Sequence, residues 1–402
     1  MRTPFYRLYL DEKHSRDISE YVDTLSFEDC MSEDSMVEFK VNANRALELL
    51  DNDKVNTGTK LYFQFGFLGE IPSKVHTAII KDIDTRYGQQ GVAVTIRALD
   101  RGTDIKRTSS PKIWKNIRSS DIARQIAKKY NLIPVVDSTT KVWDSISQGN
   151  RSDMEFLQYV ANRELNGNYV AYIRGDELYF VTRGLNKTSS VTFRWGDGDG
   201  DVIDFYPKLR ESTSKKGASS TSLLSYDTTN QKVQVTNADN KTEKDATTLG
   251  QVKMVYNGIV GEKVSEFIDK RIPQPGNADT LTNLANSNKK KGSLKLQGAS
   301  LTVIGNPKLE PNTVITMSGT AERHTGNWLV EKVKHSISSS GYICTMELLK
   351  NGKKKGGSVA AKKNVTVGPN KAKDVVLIHI DNGQYETDKK ERERLTKIRN
   401  GG

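Results

Sequence analysis

Cysteine, histidine and long apolar runs are what this 402-residue sequence has little of. Its two cysteines, Cys30 and Cys344, stand far apart, each in strand-like or polar surroundings. A disulfide framework and a cysteine-based zinc site are therefore not expected, and the usage fits a reducing compartment. The five histidines (His14, His76, His324, His335, His379) occur singly, which argues against a histidine-rich metal site. No stretch approaches the ~20 apolar residues that a membrane helix needs. The opening MRTPFYRLYLDEKHSRD brings charge in at Asp11, before any apolar core or small-residue cleavage site, so neither a secretory leader nor a membrane partner is expected.

Chemical motifs are missing too. No Walker-type phosphate loop, no GxGxxG between a strand and a helix, no GxSxG elbow, no HExxH and no paired-cysteine motif occurs. Glycan hydrolysis wants two carboxylates placed across a cleft, and nothing in the sequence pairs its plentiful acids. Cys344 with His335 or His324 suggests a thiol dyad, but Cys344 lies in the alternating run 342–346 (YICTM), where a small buried residue is the ordinary explanation. The Gly-Asp repeat at 196–201 resembles a calcium loop. Counted from Asp197, however, the sixth and twelfth positions hold Val202 and Lys208 where an EF-hand needs Gly and Glu. Asp197, Asp199 and Asp201 are left as solvated turn acids, open only to an adventitious cation. No catalytic, cofactor-binding or metal-binding residue is assigned, and the expectation is a protein that is not an enzyme and uses no cofactor.

What the chain does carry is length and charge. At ~100–200 residues per domain it holds roughly two to four domains. Lys and Arg number 61 against 49 Asp and Glu, a net of +12. The excess sits at the end: residues 350–402 hold 14 Lys and Arg against 6 Asp and Glu, net +8, leaving +4 for everything before. That stretch has one aromatic, Tyr385, and its last part mixes acids with bases, so a solubilising or protein-docking segment is expected rather than a specific nucleic-acid site.

Periodicity divides the chain. Residues 1–105 read as β: 5–10, 36–41 with a two-residue period, 61–67, and a hairpin of 75–87 with 91–99, which together suggest a barrel or sandwich. Ala46 to Leu50 reads as a brief helical or turn-like insert. Residues 106–190 read as a small α+β domain. Ser119-Ser120-Asp121 offers an N-cap to a helix whose apolar stripe is Ile122, Ala123, Ile126, Ala127 and Tyr130. Ser152 with Glu155 forms a capping box for a second helix, Trp143 falls in the loop between, and a hairpin turns at Gly175-Asp176. Residues 191–350 return to β in strands at 191–195, 202–205, 292–303, 314–317, 328–333 and 342–349. A polar insertion at about 208–291 splits them, with one hairpin near Lys232 and a short helix at 279–285. Residues 351–402 form a basic extension with an apolar strand at 375–380.

Three stretches carry a resemblance. Residues 120–132 (SDIARQIAKKYNL) and 148–157 (QGNRSDMEFL) are similar to the helical part of the late control protein D family of contractile phage tails. Gly305-Asn306-Pro307-Lys308-Leu309-Glu310-Pro311-Asn312, then Gly326-Asn327-Trp328-Leu329-Val330, then His335 and Gly341-Tyr342, resemble its closing barrel. In order, these cover most of residues 1–350. The family also resembles the hub part of type VI secretion spike proteins. The resemblance implies a mainly β fold in which two tube-protein-like β-barrel domains flank the α+β domain. It further implies a homotrimeric baseplate hub that joins a hexameric tail tube to a trimeric spike by symmetry adaptation. Its partners would be itself, the tail tube protein, a separate spike protein and other baseplate proteins. The place would be a virion tail or injection particle assembled in the bacterial host cytoplasm. After Leu349 there is too little sequence for a fused spike, and no short repeat is visible. The first helix also has the shape of LysM glycan-binding modules, so a cell-wall-associated role, LysM-like or hydrolytic, stands as the alternative, with nucleic-acid binding as a second.

Overall fold

The computed structural model describes residues 2–10, 16–51, 55–89, 91–107, 109, 111–164, 168–196, 200–209, 221–227, 232–238, 252–253, 267–274, 294, 297–350 and 352–353. The helix expected at 279–285, Asp197, Asp199 and nearly all of the basic extension lie outside them. The described chain is mainly β, as its two-residue periodicities require.

The first β-rich stretch forms β1 (Pro4–Leu10), β2 (Arg16–Asp17), β3 (Val22–Cys30), β4 (Met36–Val41), the short helix α1 (Ala46–Leu50), β5 (Lys60–Phe67), β6 (His76–Gly88) and β7 (Gly91–Leu99). In β4 the alternation buries Val37, Phe39 and Val41. β6 and β7 close on each other with Gly88 opposite Gly91, whose φ of 109° is costly for any residue with a Cβ.

The middle stretch forms α2 (Gly102–Arg107), β8 (Ile113–Arg118), α3 (Ser119–Lys129), β9 (Ile133–Val136), β10 (Val142–Ser147), α4 (Asp153–Ala161), β11 (Tyr169–Arg174) and β12 (Glu177–Thr182). It has its own core, in which Ile122, Ala123, Ile126 and Ala127 of α3 meet Phe156, Leu157 and Val160 of α4 and Phe180 of β12. α4 has both halves of its capping box. α3 differs from expectation. Arg118 is the N-cap and gives no side-chain bond, while Ser119 and Ser120 are buried in the first turn. Ser119 Oγ is taken by Glu164 and by the Trp143 indole (2.8 Å), and the hydroxyl of Thr139 caps the Ser120 N–H at 3.1 Å. Trp143 is on a strand, not in a loop: β10 pairs with β8.

The last β-rich stretch begins with β13 (Val191–Arg194) and β14 (Val202–Leu209). The polar insertion contributes β15 (Thr221–Asp227), β16 (Lys232–Ala238), β17 (Val252–Lys253) and β18 (Phe267–Gln274). β15 pairs antiparallel with β16, which is the hairpin expected near Lys232. The main sheet resumes with β19 (Gln297–Ile304), β20 (Val314–Ser318), β21 (Gly326–Ser338) and β22 (Gly341–Lys350), and β23 (Gly352–Lys353) follows.

The two β-rich stretches share one 13-stranded sheet. Its order is β14-β19-β22-β21-β3-β4-β7-β6-β5-β1-β2, with β20 on β21 and β13 on β20. The two stretches meet where β21 pairs antiparallel with β3, from Lys332 opposite Cys30 to Ser338 opposite Thr24. One apolar core runs under both, from Leu8, Phe39 and Phe63 to Leu301, Trp328 and Met346.

Candidate functional site

Cys344 and His335 are brought together. The thiol lies 3.2 Å from His335 Nδ1, which also meets the Tyr342 hydroxyl at 2.7 Å. The backbone N–H of Asn306 donates to the sulfur at 3.3 Å. Cys344, His335 and Tyr342 are all buried. Burial pushes the thiol up to about 11 and the imidazole down to about 3, so the pair is neutral, the opposite of an activated thiolate–imidazolium couple. It is a core contact. His324 takes no part in it; its carbonyl accepts the Trp328 indole N–H at 2.9 Å. Of the Gly-Asp repeat, Asp201 is described, and its carbonyl accepts the Ile304 N–H at 2.8 Å. Among the described residues no group of three or more His, Cys, Asp or Glu is placed to hold a metal ion. Nor is any helix there long and apolar enough to cross a membrane. An open depression of about 460 Å³ lies beside Asn150, Arg151 and Glu155. Its carboxylate is already engaged by the Ser152 backbone N–H at 2.8 Å.

The strongest concentration of buried charge is instead the joint between the sheet and the α+β domain. The β11–β12 turn, Arg174 to Glu177, pushes into it. Arg174 and Asp29 are both almost wholly buried and pair at 2.8 Å. Glu310 adds a second carboxylate to Arg174 at 3.3 Å. Burial alone would lower the Arg174 pKa, but the carboxylates of Asp29 and Glu310 raise it overall, so the guanidinium stays charged. Burial pushes the Asp29 carboxyl up, against the pull of that guanidinium. Lys60 pairs with Asp176 at 2.8 Å and Lys74 with Glu177 at 3.1 Å. Gly175, φ 57°, leaves no room for a side chain: a Cβ would stand 2.6 Å from Thr77 Oγ1. The turn can therefore approach the sheet this closely only with glycine here.

Around this charge lies an apolar collar of Met31, Val170, Leu185, Val314, Leu329 and Leu349. Tyr172 and Tyr179 stack beside it with centroids 4.7 Å apart. Asn312, in the left-handed region at φ 61°, accepts from Gly184 N at 2.7 Å and donates to Thr182 O at 3.1 Å. Removing one partner of a buried ion pair costs about 3–5 kcal/mol, because the remaining charge is left uncompensated. Neither Asp29 nor Arg174 belongs to a recognisable motif, whereas Glu310 lies in the stretch 305–312 that carries part of the resemblance. Asp29 stands in a mixed polar and apolar strand and Glu310 between two strands, so nothing in the sequence marks the three residues as a set.

The seam between β3 and β21 carries a second cluster. Phe27 faces His335 across it, and Phe65 lies 4.7 Å from His335 and 5.5 Å from His76. Both imidazoles are held neutral by burial.

The family model described as the Alg8 N-terminal domain matches residues 39–339. The 43 kDa tail protein of prophage MuSo2 from Shewanella oneidensis has the same fold, with a TM-score of 0.63 at 13% identity over 87% of this chain and 99% of that one. The tail protein from Neisseria meningitidis MC58 is similar at a TM-score of 0.61 and 10% identity, over 86% of this chain and 97% of that one. Prophage tail protein gp18 from Listeria monocytogenes EGD-e is similar at 0.50 and 10% identity, over 87% and 95%. No curated protein matches the chain.

Proposed function

We propose that this chain, which belongs to the Alg8 N-terminal domain family and has the fold of phage and prophage tail proteins, is the baseplate hub of a contractile tail or related injection machine. The observation that carries the reading is the extent of the likeness to the MuSo2 tail protein, which spans both β-rich stretches and the domain between them. The work is structural rather than catalytic. As a homotrimer, three chains would present six β-rich units to a hexameric tube and a threefold face to a separate spike protein. The late control protein D resemblance supplies that symmetry, and the pairing of β21 with β3 supports it by holding two such units side by side in each chain. A joint closed by buried charge suits a part that carries load between tube and spike. Its place would be the tail baseplate, assembled in the host cytoplasm.

The test is co-assembly. The purified chain is mixed with the tube protein of the same particle and imaged by electron microscopy. A ring of six β units at one tube end is expected. A chain that neither forms a ring nor binds the tube overturns the reading.

A further inference from the structure

The 13-stranded sheet begins on an open edge. β14 is its first strand and pairs only with β19 among the described residues, so its other side offers backbone donors and acceptors to an added strand. Pro207 brings no N–H, which leaves Val202–Tyr206 as the run able to pair. This edge is apolar on both faces. Val202 and Phe205 are partly buried against the core. Ile203, at the bulge between Val202 and Asp204, is 53% exposed, and Tyr206 is 57% exposed. A strand that alternates apolar with polar residues would cover one of these faces. A strand apolar in both its rows would cover both.

The chain holds such a segment outside the described residues. Val375-Val376-Leu377-Ile378-His379-Ile380 is apolar in both alternating rows, with His379 the exception. It can reach the edge. Gln297 stands opposite both Leu209 of β14 and Lys350 of β22. The chain therefore leaves the sheet two strand spacings, ~10 Å, from the far end of β14. Residues 354–374 lie between the end of β23 and Val375, and a stretch of 21 residues spans up to ~70 Å.

Direction follows from charge. Asp201 and Asp204 stand at the beginning of β14 and Lys208 near its end. The segment is preceded by Lys371, Lys373 and Asp374, a net positive charge, and followed by Asp381. Laid parallel to β14, it brings its positive start to the aspartates and Asp381 to Lys208. Laid antiparallel, it sets like charges together. β22 and β14 both run antiparallel to β19 and so parallel to each other. A new strand in that direction needs a crossover of about a dozen residues or more, which 354–374 supplies.

We propose that residues 375–380 add to the sheet of their own chain as a further strand, parallel to β14 and beside Val202–Tyr206. The segment closes the open edge, so that neither a second copy nor an unfolded chain can pair there. The contact lies within one chain and does not depend on the hub reading.

Two measurements on the full chain test this. Hydrogen exchange read at single amides should show 375–380 exchanging ~tenfold or more slowly than a free peptide of that sequence. The double variant Val376→Asp with Ile378→Asp should speed those amides and the outward-pointing amides of 202–206 by ~tenfold or more, while Val333 and His335 stay slow and report an intact sheet. Exchange of 375–380 at the peptide rate, or amides of 202–206 that ignore the substitutions, overturns the proposal. The second measurement is a cross-link. In the double variant Tyr206→Cys with His379→Cys, mild oxidation should join the two positions within one chain, the native thiols Cys30 and Cys344 being buried. A bond between two chains would put the segment on another copy, and no bond would put it elsewhere; either result overturns the proposal.

Discussion

Burial acts on Asp100 and on His335 with opposite consequences, because one is charged by losing a proton and the other by gaining one. Asp100 lies between β7 and α2, where its carboxylate accepts from Ser35 N at 2.9 Å and Gly102 N at 2.8 Å. Burial nevertheless pushes it up to about 7, and Asp34 and Asp29 add to the push. A carboxyl that holds its proton better in the fold than in the unfolded chain (~3.9) contributes stability below ~3.9, and that contribution declines as pH rises to about 7. His335, pushed down by burial to about 3 against ~6.5 unfolded, contributes above ~6.5 and loses that contribution as pH falls toward 3. His76 acts in the same direction as His335. Each of the two larger effects is on the order of 4–5 kcal/mol, so they oppose each other between about pH 4 and 6.5. Asp100→Asn removes the opposing slope. Its unfolding free energy in urea should rise more steeply from pH 4.5 to 6.5 than that of the wild type; equal slopes would refute the assignment. Neither residue could be singled out from sequence, since a lone Asp after a strand or a lone His within one reads as surface until the fold buries it.

Among the elements, those written in local chemistry could be read and those written in long-range pairing could not. α4 shows the first case: Ser152 and Glu155 satisfy each other's backbone donors within four residues, and the helix starts there. Ser152→Ala should cost about 1 kcal/mol, seen as a lower midpoint in urea with an unchanged slope. No loss would mean that Thr139-type contacts from elsewhere carry the helix start. α3 shows the second case. Its serines looked like a cap, but Glu164 and Trp143, 45 and 24 residues from Ser119, claim the Ser119 hydroxyl first, and Thr139 supplies the cap. β9, four residues long, exists because it lies parallel on β12, a partner more than 40 positions away. β3 does alternate, with Leu25 and Phe27 buried, but its polar half (Thr24, Ser26, Glu28) and the buried Asp29 blur the pattern. That Asp29 is also half of the joint, which is why the joint was invisible in sequence while the strands flanking it were not.

At the scale of the whole molecule, the β-rich, α+β, β-rich order and the mainly β class follow from periodicity. The union of the two β stretches does not, because it depends on one strand serving both. β21 gives its first half to β20, from Gly326 opposite Met317 to Leu329 opposite Val314, and its second half to β3, while β22 lines its other side from Leu329 to Ser338. An amide proton of that strand meets solvent only when the seam it points into, inside the 13-stranded sheet, comes apart. In native-state hydrogen exchange the amides of Val333, His335 and Ile337 should therefore be among the last to exchange, at a rate that tracks global unfolding, whereas the tip of the β6–β7 hairpin near Tyr87, 71% exposed, should exchange through local fraying. A molecule built around such a strand has no cheap partly open state: it is held whole or it is lost whole.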